Sequence, residues 1–225
     1  MKIMHVDASA KRERSNSRAL SRYFLERLRE EGGQFEVDYL DVTIDTPPHV
    51  TDAFAIATYT AAPDRTPAMK ATLAGSDALC QRLLAADAFV FAMPMYNWSM
   101  PSAFKAFIDS VTRTGLTYVN ADDGRVVGQL SRQKVLFITS RGADLRPGSP
   151  YAGMDALTPS LKAAFGFLGV ADPTFVDAQP LQFADSEART EALRRARAEL
   201  DAVASGWASS DSSKENQDLL SGVTA

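Results

Sequence analysis

Short apolar runs alternate with amphipathic stretches along the whole chain, and that alternation predicts its elements. Residues 2–8 (KIMHVDA) read as a short buried strand, followed by a polar stretch from Ser9 to Ser15. Leu20, Tyr23, Phe24 and Leu28 then recur at the i, i+3, i+4 spacing of one helical face, with Ser15 or Asn16 as N-cap and Gly32-Gly33 as terminator. Phe35–Val42 alternates as a second strand. The stretch Thr43–Thr66 is rich in breakers and too long for an ordinary connection, which marks it as a functional or partner-facing excursion. Pro67 suits the first turn of a helix over 67–86.

Asp87–Met93 (DAFVFAM) is almost wholly apolar, as in a strand covered on both faces of a parallel sheet, and Pro94 stops it. Pro101 opens a helix carrying Phe104, Phe107, Ile108 and Val111, and LTYVNADDGRVV has the Asp-Gly signal of a small hairpin. Lys134–Thr139 is a further buried strand, 155–168 a helix, Pro173–Ala178 a last strand, and 184–206 a helix with Leu193, Leu200 and Val203 inward. Strands alternating with helices in five βα units predict an α/β fold, with a parallel sheet, right-handed crossovers and helices on both faces. The expected order is flavodoxin-like, 2-1-3-4-5, with the domain over residues 1–205 and a flexible C-terminal tail over 206–225.

Composition narrows the function. With 28 acidic against 24 basic residues in 225, the net charge of −4 argues against a nucleic-acid binder or a polybasic membrane-surface protein. One cysteine, Cys80, with His5 and His49 makes neither a disulfide nor a Cys/His zinc site, so no metal is expected. Neither a membrane span nor a signal segment is apparent, and a reducing cytoplasmic location is expected. His5 reads as a structural residue within the first strand, His49 as a loop residue and Cys80 as a small packed hydrophobe.

Ligands of open parallel sheets bind beyond the carboxyl ends of the strands where the order reverses, here between the first and third strands. The loop after the first strand runs into a helix N-terminus with hydroxyls at Ser9, Ser15 and Ser17, while Lys11, Arg12, Arg14 and Arg18 add local positive charge: a phosphate cradle. From this loop alone, a plain Ser15 cap beside solvated bases serves equally well. The loop Met93–Pro101 holds Tyr96, Asn97 and Trp98 between two prolines, suited to a flat heteroaromatic ring, or else to core or dimer packing. Thr139-Ser140-Arg141-Gly142-Ala143 follows the fourth parallel strand.

Together these pieces resemble the FMN-dependent NADH-azoreductases, also called FMN-dependent NADH:quinone oxidoreductases, of the flavodoxin-like quinone reductase group. The resemblance rests on Ser9 with Ser15-Asn16-Ser17, PMYNWSMP with Lys105 and Phe107, RTGLTY at 113–118, ITSRGADLRPG at 138–148 and TPSLKAAFGFLGV, and spans residues 1–205. It implies that Ser9, Ser15, Asn16 and Ser17 hold the FMN phosphate and that Met95, Tyr96, Asn97 and Trp98 border the flavin ring. Ser140, Arg141, Gly142 and Ala143 would line its far side, with Tyr96 and Asn97 positioning flavin and substrate. It also implies NADH or NADPH as co-substrate, a ping-pong hydride relay to quinones or azo compounds, and a homodimer with active sites at the subunit interface. Trp98, Ala143 and Asn120 depart from the residues usual in the family, where Phe, Gly and an aromatic stand. A flavodoxin-type electron carrier serving a protein partner is the rival reading. Such carriers show a Thr/Ser-x-Thr-Gly-x-Thr loop after the first strand, whereas this loop is longer and lacks glycine.

Overall fold

A computed structural model describes residues 1–221, with side-chain surroundings through Ser209. Five parallel strands form the central sheet: β1 (Lys2–Asp7), β2 (Glu36–Asp41), β3 (Ala88–Pro94), β6 (Lys134–Ser140) and β7 (Thr174–Ala178). Between β3 and β6 the chain makes a separate two-stranded hairpin, β4 (Tyr118–Asn120) with β5 (Val126–Gly128). The sheet order is β2-β1-β3-β6-β7, the flavodoxin-like 2-1-3-4-5 expected from the sequence. Five helices lie in the connections between strands, α1 (Asn16–Glu30), α2 (Asp52–Tyr59), α3 (Pro67–Ala85), α4 (Ser102–Val111) and α5 (Leu157–Phe167), and α6 (Ser186–Ser221) follows β7.

The alternation of side chains along a strand divides the core into two layers. Phe89, Phe91 and Met93 of β3 face α3, α4 and α5, where the Phe91 ring lies 4.9 Å from Phe165, 5.2 Å from Phe137 and 5.5 Å from Phe104. Ala88, Val90 and Ala92 face the other way, and their smaller side chains admit Phe24 of α1 and Ala196 and Leu200 of α6. All six of these β3 residues are fully buried, as expected for the sheet centre. The α1 helix ends on Gly32, whose φ of 88° is the left-handed conformation that terminates helices.

Within the Thr43–Thr66 excursion the chain forms α2, which Thr51 caps by accepting a hydrogen bond from the Phe54 amide. Ordered packing continues past residue 205. Trp207 and Ala208 are buried in the second core layer, the indole edge-on to Phe24 at 5.2 Å, and α6 continues to Ser221. The remainder of the expected tail, 222–225, lies outside the described residues.

Candidate active site

The carboxyl ends of β1, β3, β6 and β7 share one edge of the sheet, and the loops leaving them enclose a cleft of about 650 Å³. The β1 loop supplies its polar end. Ser15 caps α1 by accepting from the Arg18 amide at 3.3 Å, and its hydroxyl lies 3.2 Å from that of Ser17. Ser9, Ser15 and Asn16 line the cleft, whereas Ser17 is fully buried behind Ser15 and reaches the cleft only through it. The helix N-terminus at the cleft, its hydroxyls and its dipole make this end a site for an anion.

The charge at this end is distributed differently from the sequence expectation. Arg18 is buried, with its guanidinium 3.2 Å from Asp7 and 2.8 Å from Asp41, so it is neutralised and adds no field to the cleft. It donates instead to the Ser9 carbonyl at 2.7 and 3.2 Å and fixes the loop from behind. Burial works against its charge, yet the Asp41 hydrogen bond and the fields of Asp7 and Asp41 together raise its pKa. Lys11, Arg14 and Arg189 line the cleft, and among the described residues none of the three makes an ion pair. Arg12 lies away from the cleft, beside Arg22 and Asp41.

The β3 loop forms the aromatic wall. Tyr96 and Ser99 exchange backbone hydrogen bonds at 2.9 and 3.0 Å, closing a two-residue turn around Asn97 and Trp98. Both central residues are left-handed, with φ of 46° and 71°. That is the geometry of a tight hairpin turn, for which asparagine is a favoured first residue but tryptophan is a strained second one, costing on the order of 1–3 kcal/mol. The Tyr96 hydroxyl accepts from the Ala10 amide at 3.3 Å, which joins the aromatic wall to the anion loop. Outside the cleft lining, Tyr151 stacks on the Trp98 indole, with ring centroids 5.7 Å apart.

The β6 loop supplies the opposing side with Ser140, Arg141, Gly142 and Ala143, all four on the cleft lining. The Arg141 side chain is only 2% exposed and turns inward from the lining. It pairs with Asp155 at 2.8 Å and Asp177 at 2.9 Å and donates to Thr139 and Thr158, leaving mainly its backbone for a ligand. Asp155 has its pKa lowered: burial opposes this, but the Thr158 hydrogen bonds and then the Arg141 charge outweigh it.

A fourth loop, after β7, was missed from sequence. Leu181, Gln182 and Phe183 line the cleft, and the Leu181 and Phe183 amides donate to the Gly142 carbonyl at 3.1 and 3.0 Å. A Cβ on Gly142 would sit 3.4 Å from the Gln182 and Phe183 side chains, in van der Waals contact with the β7 loop. The signal was present, since this segment also leaves the carboxyl end of a strand, but it has no hydroxyl or glycine pattern to single it out. Asn120 lies exposed in β4 and does not line the cleft of a single chain, nor do His5, His49 or Cys80. Among the described residues no group of three or more His, Cys, Asp or Glu side chains is placed to hold a metal, and no helix is long and apolar enough to cross a membrane.

A five-stranded parallel sheet with an anion end and an aromatic wall at the β1/β3 reversal defines a flavodoxin-like mononucleotide-binding protein. Residues 1–203 match the family model described as flavodoxin-like fold. The FMN-dependent NADH:quinone oxidoreductase 2 of Trichormus variabilis is 39% identical over 206 residues, covering 91% of this chain and 99% of its own. The FMN-dependent NADH:quinone oxidoreductase of Bordetella petrii is 34% identical over 206 residues, covering 92% and 97%. An FMN-dependent NADH-azoreductase from Bacillus anthracis, solved in complex with FMN, shares the fold with a TM-score of 0.80 at 23% identity, covering 92% of this chain and 99% of its own. The chain belongs to the flavodoxin-like family of FMN-dependent NADH:quinone oxidoreductases.

Proposed function

We propose that this protein is an FMN-dependent NAD(P)H oxidoreductase that reduces quinones and aromatic azo compounds by two electrons in a ping-pong cycle. The observation that carries the reading is the cleft itself. Hydroxyls and unpaired cations occupy one end, a stiff aromatic turn the other, and the chain belongs to a family whose named members use FMN and NADH.

The donors present fit the group. Ser9, Ser15 and Asn16, with Ser17 behind them, would hold its phosphate at the α1 N-terminus, helped by Lys11 and Arg14. Met95, Tyr96, Asn97 and Trp98 would border its ring on one side, and Ser140, the Arg141 backbone, Gly142 and Ala143 on the other. When bound, FMN supplies the hydride chemistry at N5, accepting from the nicotinamide and giving to the acceptor that replaces it. The chain's own part is orientation and electrostatics. In the tight turn the Asn97 and Trp98 amides take no part in a backbone hydrogen bond among the described residues, so they are free to donate toward negative charge on the ring. Tyr96 and Asn97 therefore position ring and substrate, with no side-chain acid or nucleophile required.

The same reading includes a homodimer with active sites at the subunit interface. Its support is the α2 excursion, which leaves Ile56 50% and Tyr59 85% exposed on one chain. A reducing cytoplasm agrees with a lone, buried cysteine.

The test is an absorption spectrum of purified protein, followed by anaerobic addition of NADH and NADPH separately and then of a quinone or an azo dye. Bleaching of bound FMN by a nicotinamide and recovery by the acceptor are expected. A protein that binds no FMN would overturn the assignment. One that binds FMN but is not reduced by either nicotinamide would be a carrier instead. Sedimentation of the holoprotein as a monomer would remove the dimer.

A further inference from the structure

We infer that Tyr151, outside the cleft, is a positioning residue that holds the Asn97-Trp98 turn in its reactive shape; the inference rests on the FMN-oxidoreductase reading above. Two consecutive non-glycine residues with φ of 46° and 71° will relax unless their surroundings fix them. The turn's own hydrogen bonds, between Tyr96 and Ser99, close its base but leave the tip free to rotate.

Among the described residues, a segment far along the chain holds the tip. The Trp98 indole lies against the Tyr151 ring at 5.7 Å with planes 29° apart, and the Trp98 carbonyl accepts from the Ala156 amide at 3.0 Å. That segment is anchored in turn. Met154 donates from its amide to the Tyr151 carbonyl at 2.9 Å, and Asp155 receives the buried Arg141 at 2.8 Å, itself tied to Asp177 at 2.9 Å. The Tyr151–Ala156 segment therefore transmits the rigidity of β6 and β7 to the strained turn. Tyr151 is 44% exposed and does not line the cleft, so it touches the site only through Trp98. What it supplies is the face of its ring, and a phenylalanine would supply the same.

The chemical consequence concerns the Asn97 and Trp98 amides. If the turn loosens, these donors no longer point at one place, and stabilisation of charge that develops on the ring falls while binding of the phosphate end, set by the β1 loop, stays. Loss of a stacked aromatic contact corresponds to about a three- to tenfold effect.

The experiment compares wild type, Tyr151→Phe, Tyr151→Leu and Tyr151→Ala. In the apoprotein, near-ultraviolet circular dichroism of Trp98 is expected to change in the Leu and Ala variants and to stay in the Phe variant. In the holoprotein, the rate of FMN reduction by NADH is expected to fall about three- to tenfold in Leu and Ala, with a more negative flavin potential. The FMN dissociation constant should move less than the rate, and Phe should restore all three. Leucine fills the space without stacking, so the series remains informative if the alanine variant folds poorly. Equal reduction rates and spectra in wild type and the Leu variant would overturn the inference, as would a Phe variant as impaired as Leu. A wild-type protein that fails to bind FMN would instead refute the oxidoreductase reading, and the apoprotein spectra would still decide the role of Tyr151.

Discussion

Replacing Arg18 with alanine tests whether the anion loop is built from behind. In the folded chain Arg18, Asp7 and Asp41 are all buried, and the guanidinium serves both carboxylates while donating twice to the Ser9 carbonyl. Removing it leaves two buried carboxylates without their cation and a carbonyl without its donors. Breaking a buried ion pair from one side costs about 3–5 kcal/mol, because the remaining charge stays desolvated. At about 2–4 °C per kcal/mol for a domain of this size, the apoprotein melting temperature should fall by about 6–20 °C. The sign with pH is also fixed. Burial opposes ionisation of Asp41, but hydrogen bonds from Arg18 and Thr43 outweigh it and hold its pKa below the ordinary value. In the wild type this contribution is fully present above about pH 4 and is lost as the pH falls through the depressed value. At Asp41 of the Arg18→Ala variant only burial and the weaker Thr43 contacts remain, so this carboxylate takes up a proton more readily. The penalty should be largest at pH 7 and shrink toward pH 4. Thermal unfolding followed by circular dichroism at pH 7 and near pH 4 reads both effects, and Arg18→Lys should fall between. A melting shift under about 2 °C at pH 7, or an equal penalty at both pH values, would show that the pair is not the support described here.

Three other outcomes are expected. Asn97→Ala puts a residue that disfavours the left-handed conformation at a φ of 46°, so it should slow NADH-driven turnover more than it weakens FMN retention; stopped-flow reduction and FMN titration separate the two, and equal turnover would count against the role. Ser15→Ala removes the α1 cap and a phosphate-end hydroxyl, which should lower stability by about 1 kcal/mol and weaken FMN binding about tenfold, measured by denaturant unfolding and fluorescence titration. Burial pushes the Cys80 thiol up to about 11 despite the opposing pull of Arg113, so the native protein should not react with a thiol reagent at pH 8 and should react fully once unfolded; rapid labelling of the native protein would contradict its packing.

The fold was legible because its strands are marked by apolar runs and its helices by caps and periodicity, signals that act within a few residues. The Phe89-Val90-Phe91-Ala92-Met93 run could sit only at the sheet centre, and strand order then placed three loops on one edge. Their hydroxyls, aromatics and glycine were visible as chemistry suited to a phosphate and a ring. The family resemblance then sharpened this to FMN.

What the sequence could not convey was which charges remain free and which side chains turn away. Arg18 and Arg14 look alike in a basic run, yet Arg18 is consumed by Asp7 and Asp41, brought to it by β1 and β2, while Arg14 stays on the cleft. Arg141 has the right position but turns inward to Asp155 and Asp177. Trp207 reads as the start of a tail until Phe24 is found beside it. In each case the deciding partner lies far away along the chain, so local pattern carries no record of it. The sequence by itself determined the layers, the strand order and the kind of atoms at each loop. Only the packed structure decided their pairing, because buried charge and strained backbone persist only where distant segments converge to hold them.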